Sequence, residues 1–315
     1  MRPLRDWLLA GLLTLLPLSA SADPLGYAVA FDALYRVDLG TRQATLIGPV
    51  NFNDVDGLAF GPDGTLYGVA DATAGSGSGV SDLLIRIDTS TGAGTLIAPL
   101  AGLAGTGQGG SLDYGLAFTC DGRMWASSDS TGQFWEVTPT TGAVRLVANT
   151  GAPLSGLAAN ADALFGIGVM QGSGNASQQA LYQIDPETGI ATRIGSLGVG
   201  DTLSGAGADF DAAGVLWATL DSQPPDFDRA SRIARIDLAT GAATVTGSAA
   251  GVTDNISLRA LAIAPTAACA AGGGGNGNNN PPAAHLVPGP SPVLLVLLGG
   301  LLLLIAFRGL PASRG

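Results

Sequence analysis

The residues best suited to chemistry are carboxylates that stand just before short segments rich in glycine and alanine. They are Asp54, Asp56, Asp113, Asp201 and Asp254, and Tyr114, Ser155, Ser204 and Arg259 occupy similar positions. Carboxylate oxygens are ligands for hard cations such as calcium, so a metal site is predicted if the following segments bring these residues together. The alternative is that the aspartates form turns and caps in the loops of an acidic chain.

The distribution of histidine argues against most kinds of catalytic site. The single histidine, His285, lies beyond a stretch rich in glycine, asparagine and proline near the end of the chain. A Ser-His-Asp triad, a histidine metal site and a histidine general base are therefore excluded from the part of the chain before it. We predict no catalytic residue and no cofactor other than a candidate calcium ion. The alternatives are an acid–base mechanism that uses paired carboxylates and a calcium-dependent hydrolase, lactonase or lyase.

Two cysteines, Cys120 and Cys269, are predicted to form a disulfide bond. An even number of cysteines in an exported chain favours pairing. The bond would close a loop of about 150 residues and stabilise the fold by about 3–5 kcal/mol in the chain-entropy model. Two separate buried thiols are the alternative.

A hairpin phrase recurs along the chain and predicts the elements that carry these residues. Its clearest copy, residues 181–195, reads as a strand, a polar turn and a second strand. Equivalent turn positions fall at residues 38, 88, 138, 185 and 237, with spacings of 50, 50, 47 and 52 residues. Four of them are aspartates, Asp38, Asp88, Asp185 and Asp237, which are predicted to accept backbone N–H groups within their turns. Self-similarity at this period is typical of repeat architectures.

A second phrase precedes each later hairpin and completes a four-stranded unit. Its clearest copy, residues 57–69, is a small-residue strand, a Pro-Asp-Gly turn and a strand bearing an aromatic residue. Further copies begin near residues 115, 156 and 205. Four strands in a repeat of 40–50 residues predict an all-β chain that folds as a β-propeller. The aromatic residues, Tyr67, Trp125, Phe165 and Trp217, are then predicted to pack one blade against the next.

The ends of the repeat region predict how the ring closes. Residues 260–263 form an orphan first strand, and residues 26–48 lack only a first strand, so the two together would complete a fifth blade. A five-bladed propeller is therefore predicted over residues 23–265, with six blades using residues 100–113 as the alternative. In this arrangement the loops entering the first strands would gather the carboxylates at one mouth of the central channel.

The two ends of the chain are predicted to direct export and attachment. Residues 1–22 have the basic, apolar and small-residue regions of a secretory signal peptide. Residues 266–286 are a Gly-, Asn- and Pro-rich linker, and residues 287–315 contain an apolar run followed by arginines. With its Val-Pro-Gly-Pro-Ser sequence, this tail resembles the PEP-CTERM class of bacterial sorting signals. The resemblance implies a sorting protease or transpeptidase of the exosortase type as a partner, and a simple membrane anchor is the alternative.

Composition restricts the partners of the central region. Residues 23–270 carry 10 basic and 24 acidic side chains, a net charge of −14. An acidic surface repels nucleic acid and anionic lipid, so neither is predicted to bind there.

The repeat phrases resemble those of NHL- and YVTN-like propellers, whose blades also read Gly-Leu-Ala-Phe, Asp-Gly, Leu-Tyr and Ile-Asp-x-x-Thr-Gly. The resemblance implies the fold, and it leaves function open because that class contains enzymes, ligand binders and scaffolds. We therefore expect an exported, surface-sorted or membrane-tethered module of the bacterial envelope or matrix that binds a protein or glycan ligand without catalysis.

Overall fold

The structure, a computed structural model, describes residues 23–71, 81–104, 113–169, 176–222, 230–252 and 257–264. Contacts divide the chain into a first unit, Met1–Gly273, and a second, Gly274–Gly315, and every described residue belongs to the first. The predicted signal peptide, linker and sorting signal lie outside the described residues. No helix within the described ranges is long and apolar enough to span a membrane.

The described residues form an all-β structure with almost no helix. In chain order the strands are β1 Leu25–Ala30, β2 Ala33–Asp38, β3 Ala44–Pro49, β4 Asn53–Phe60, β5 Leu66–Asp71, β6 Ser81–Ile87, β7 Gly94–Ala104, β8 Tyr114–Phe118, β9 Met124–Ser128, β10 Gln133–Val137, β11 Val144–Asn149, β12 Leu154–Ala159, β13 Leu164–Gly168, β14 Ala180–Ile184, β15 Ala191–Ser196, β16 Leu203–Phe210, β17 Leu216–Ser222, β18 Arg232–Ile236, β19 Ala243–Ser248 and β20 Ala260–Ile263. A single 3₁₀ turn, Ala176–Gln178, precedes β14.

These strands make five four-stranded antiparallel sheets, the blades of a five-bladed β-propeller. Blade 1 has the order β20-β1-β2-β3, and blades 2 to 5 are β4–β7, β8–β11, β12–β15 and β16–β19. The predicted ring closure is confirmed, because Gly26 of β1 pairs with Ile263 of β20. The six-bladed alternative is wrong, since β7 runs on to Ala104 as the outer strand of blade 2.

The first strand of each blade lies at the centre of the ring. Residues 56–58, 114–116, 155–157, 206–208 and 260–261 from these five strands line one central space. Glycine is needed here because the strands approach closely. A Cβ atom on Gly156 would lie 2.9 Å from Ala206 O, and one on Gly207 would overlap the backbone of Ala260 and Leu261. The predicted place of the small-residue strands is confirmed.

The hydrophobic core is divided among the five junctions between neighbouring blades. The aromatic strands supply its largest side chains, as predicted. Tyr67 of blade 2 packs on Phe118 of blade 3 with ring centroids 5.2 Å apart, and Phe165 of blade 4 packs on Phe210 of blade 5 at 5.7 Å. Both sides of a blade face a neighbour, so the inner strand β12 is buried along its whole length, whereas the outer strand β19 is partly exposed.

The recurring aspartates have the structural role predicted for them. Asp38 Oδ1 accepts the backbone N–H of Thr41 at 2.8 Å, and Asp237 Oδ1 accepts that of Thr240 at the same distance. Asp88 and Asp185 do the same for Ser90 and Glu187. Hydrogen bonds lower the pKa of all four carboxyl groups, which lie at the surface. The largest contribution comes from a backbone N–H for Asp38 and Asp237 and from a side-chain hydroxyl group for Asp88 and Asp185. The third blade has Thr138 at this position.

Candidate functional site

The candidate site lies at the mouth of the channel where the five inner strands begin, which we call the upper mouth. Second strands end, and third strands begin, at this same end of each blade, because successive strands are antiparallel. Backbone hydrogen bonds, one between blades 2 and 1 and one within blade 1, hold the chain segments here. Val55 N–H donates to Phe31 O at 2.8 Å, and Arg259 N–H donates to Val29 O at 2.9 Å. The entries to β4 and β20 are thereby fixed beside the β1–β2 turn.

Arg259 joins three of the predicted carboxylates. Its Nη1 atom lies 3.1 Å from Asp113 Oδ1, 3.3 Å from Asp56 Oδ1 and 3.5 Å from Asp54 Oδ1. The guanidinium group also lies over the ring of Phe31, 4.9 Å from its centroid. Burial acts to lower the pKa of Arg259, but the three carboxylates outweigh it and the net shift is upward. Arg259 is therefore a fixed cation at the centre of the cluster.

Asp56 is the most buried member of the cluster, with 4% of its surface exposed. Among the described residues its Oδ2 atom has no hydrogen-bond partner. Burial raises the pKa of Asp56 well above its usual value, and the charges of Asp113 and Asp54 add to that rise. The pKa of Asp113 is also raised by burial, against the opposing effect of Arg259.

Sequence reasoning missed the carboxylates that the second and third strands bring to the upper mouth. Asp71 ends β5, Asp82 begins β6, Asp129 follows β9 and Asp221 lies near the end of β17. Burial, with the charge of Asp82 next in size, raises the pKa of Asp71 to about 7. The signal was available in the repeats Leu-Tyr-Gly-Val-Ala-Asp, Met-Trp-Ala-Ser-Ser-Asp and Leu-Trp-Ala-Thr-Leu-Asp, which end on three of these residues.

Two of these missed carboxylates have hydrogen-bond partners that fix their positions. Tyr114 O–H donates to Asp82 Oδ2, and Ser231 O–H donates to Asp221 Oδ1. Burial raises the pKa of Asp221 to about 7. By contrast, Asp71 Oδ1 is a buried atom without a partner among the described residues. Asp71 and Asp56 thus share an unusual property, a buried carboxylate oxygen that accepts no hydrogen bond.

Other predicted rim residues lie apart from the Arg259 cluster. Asp201 Oδ2 forms an ion pair with Arg232 Nη1 at 3.0 Å. Ser155 Oγ accepts the backbone N–H of Ala206 at 3.0 Å, and Ser204 O–H donates to Ser222 O at 3.2 Å. Asp254 lies outside the described residues. Within the described part of the chain, no group of three or more His, Cys, Asp or Glu side chains is arranged to hold a metal ion. The calcium site stays a prediction.

The channel below the upper mouth offers little room for a ligand. The central space has an empty volume of about 160 Å³, of which part is open solvent. At the opposite end, Asp209 Oδ2 accepts the N–H of Ile263 at 2.7 Å and so links β16 to the closing strand β20. Burial raises the pKa of Asp209 to about 7. A large organic ligand therefore does not fit inside this central space.

The predicted disulfide involves the turn between β8 and β9. Cys120 Sγ lies 3.4 Å from Asn160 O, at the junction of blades 3 and 4. Cys269 lies outside the described residues, so the bond stays a prediction.

No family model matches the chain, and no curated protein matches it. One similar solved structure is described as "Crystal structure of Nidogen/Laminin Complex", with a TM-score of 0.47 and 12% sequence identity. The alignment covers 77% of this chain and 98% of that chain. At this level of similarity the comparison carries no argument about ligand or partner.

Proposed function

We propose that this protein is an exported β-propeller that acts as a non-catalytic binding or structural module of the bacterial envelope or matrix, with a protein or glycan ligand at the upper mouth. The observation that carries the proposal is the cluster of Arg259, Asp54, Asp56 and Asp113 at the upper mouth, in which Arg259 and Asp56 occupy equivalent positions of their blades yet carry opposite charges. Residues that serve the fold recur from blade to blade, as the turn aspartates do. The cluster breaks the repeat.

The energetics of the cluster support a binding role. Burying a carboxylate oxygen without a hydrogen bond destabilises a fold, so such groups persist where they serve another purpose. Asp56 Oδ2 and Asp71 Oδ1 are groups of this kind among the described residues. The absence of histidine before residue 285 supports a binding role over histidine-based catalysis.

Export and attachment are proposed on the sequence of the two ends. Residues 1–22 supply the signal peptide and residues 287–315 the sorting signal or anchor. We expect the mature chain in the cell envelope or medium, with a new C-terminus where an exosortase-type enzyme has cut the tail. Cell fractionation and intact-mass measurement test this expectation. A cytoplasmic chain of full mass would contradict it.

Hydrogen exchange measured by mass spectrometry tests the binding role. The full chain is compared with and without solubilised envelope material from the producing cells. We expect saturable protection at the starts of β4, β8 and β20, which form the upper mouth. The Arg259→Gln variant should lose this protection, whereas Arg193→Gln, an exposed arginine of β15, should keep it. Protection of the outer strands alone, or none, would contradict the proposal.

A calcium-dependent hydrolase or lactonase is the second candidate. One observation favours it, the convergence of three carboxylate oxygens within 3.5 Å of a single point, Arg259 Nη1. Arg259 now fills that point, so calcium would have to displace a paired cation. Titration calorimetry of the full chain with calcium, followed by assays on lactones and esters, tests this candidate. Calcium binding together with turnover of a lactone or ester would favour the enzyme hypothesis over the binding-module hypothesis.

A further inference from the structure

Carboxylate oxygens at the upper mouth include buried atoms that have no hydrogen-bond partner among the described residues. Asp56 Oδ2 and Asp71 Oδ1 are two such atoms. Asp56 belongs to the inner strand β4 and Asp71 ends the adjacent strand β5, so one blade carries both. Because a carboxylate only accepts hydrogen bonds, these two oxygens can be satisfied only by donors that come from elsewhere.

The cluster also has an excess of negative charge. Asp54, Asp56, Asp71, Asp82 and Asp113 interact with one another, and Arg259 is the cation that acts on them. Arg259 contacts Asp54, Asp56 and Asp113, and no contact joins it to Asp71. One guanidinium group therefore forms ion pairs with three of the carboxylates. Among the described residues, Asp71 has no ion pair with a cation.

The way in which the cluster holds Arg259 indicates what else it can hold. The site accepts a flat organic cation with N–H donors, flanked by the aromatic ring of Phe31. The described residues offer no ligand set for a metal ion. Glycan hydroxyl groups are neutral and would leave the excess charge uncompensated. A basic side chain of a protein meets both needs, since it brings N–H donors and a positive charge.

We propose that the upper mouth binds the guanidinium or ammonium group of a basic side chain from a protein ligand, between Asp56 and Asp71 and beside Arg259. This inference rests on the binding function proposed above and names the chemistry of its ligand. The oxygens Asp56 Oδ2 and Asp71 Oδ1 accept its N–H groups. Asp71 is half-buried, whereas Asp56 is buried. Arg259 keeps its own three partners.

Titration calorimetry of the full chain with L-argininamide at pH 8 tests the proposal. L-citrullinamide, of nearly the same shape but without charge on its side chain, is the matched control ligand. We expect saturable binding of argininamide, with no detectable binding of citrullinamide. Asp71→Asn should weaken binding about tenfold, as loss of one charged hydrogen bond does. Asp162→Asn, at an exposed position in the turn at the other end of blade 4, should bind as the parent does.

Thermal unfolding of each variant shows whether it is folded, and Asp56→Asn provides a second test should Asp71→Asn fail to fold. Equal binding of the two ligands, or binding unchanged in both aspartate variants, would overturn the proposal. Should argininamide fail to bind while envelope material still protects the upper mouth from exchange, the cation proposal falls and the binding module stands. If argininamide does not bind and envelope material gives no protection, both the cation proposal and the binding-module proposal are wrong.

Discussion

Aspartates at the two ends of the blades respond to the fold in opposite ways. Those of the hairpin turns, such as Asp237, lie at the surface, accept backbone N–H groups and have a lowered pKa. Those of the upper mouth, such as Asp56 and Asp71, are buried, have an oxygen without a described partner and have a raised pKa. The first kind recurs in four blades. At the mouth, Asp71 has counterparts in Asp129 and Asp221, whereas Asp54, Asp56 and Asp113 have no aspartate counterpart in another blade. Ionisation favours the fold in the turns and opposes it at the mouth.

Replacing the central cation tests the mouth most severely. Arg259→Gln leaves three carboxylates without their counter-charge and is expected to reduce the free energy of unfolding by about 2 kcal/mol at pH 8, less than for a fully buried pair because Arg259 is partly exposed. At pH 5 the loss should be smaller, since the raised pKa of Asp56 and of Asp113 favours their neutral forms as pH falls. Urea unfolding at both pH values measures this. An equal loss of free energy of unfolding at pH 8 and pH 5 would contradict the electrostatic account. An equal loss in the Arg193→Gln variant would contradict it as well.

Removing one carboxylate from the mouth is expected to stabilise the protein. The raised pKa of Asp71 means that the folded state binds more protons than the unfolded state between pH 3.8 and about 7, so the wild-type free energy of unfolding falls as pH rises through this window. Asp71→Asn removes that contribution. We expect a gain of about 1 kcal/mol at pH 8, discounted for the partial exposure of Asp71, and none below pH 4. A variant less stable than wild type at pH 8 would contradict this interpretation.

The corresponding change in a turn should have the opposite sign. Asp237→Ala removes the acceptor of the backbone N–H groups of Ala239 and Thr240. We expect Tm to fall by about 2 °C at pH 7. The lowered pKa of Asp237 implies that its contribution is present above the unfolded value of 3.8 and is lost as pH falls through the folded value. Thermal scans between pH 7 and pH 2.5 should therefore show the effect in full at pH 7 and a decreasing effect as pH falls below 3.8.

The third blade offers the smallest and most specific test. Its turn has Thr138 where the other four blades have aspartate. Thr138→Asp should raise Tm by about 1 °C, because the new carboxylate can accept the N–H groups of residues 140 and 141 as its counterparts do. Tm unchanged or lowered would mean that the blades differ in more than this residue.

The sequence predicted the features that depend on local pattern. The turn aspartates, the small-residue strands, the aromatic strands and the closure of blade 1 all follow from phrases that recur, and the structure confirms them. At the upper mouth, the sequence indicated Asp54, Asp56, Asp113 and Arg259 through their places before inner strands. It did not reveal that Arg259 would hold the three carboxylates, because that depends on contacts between blades 1, 2 and 3.

Other residues of the mouth were missed or misplaced for physical reasons. Asp71 and Asp221 come from the ends of second strands, which reach the same mouth only because neighbouring strands are antiparallel. Asp201 lies just before the inner strand β16, and Asp54 lies at the start of the inner strand β4. Asp201 nevertheless pairs with Arg232 of its own blade and not with Arg259. The partner of each aspartate is a side chain distant in sequence, so a local repeat cannot predict it.

The closing strand also bears on how such a chain is synthesised. Ala260 and Ala262 pack into the junction of blades 1 and 2, while Leu261 and Ile263 pack into that of blades 5 and 1. Because synthesis starts at the N-terminus, strands β1 to β19 are all made before these four residues of β20 appear. Until then β1 has an open edge and two junctions lack part of their core, a state prone to pairing with other chains. Vectorial synthesis thus leaves the ring open until its last strand arrives, and a premature stop before residue 260 would leave it open permanently.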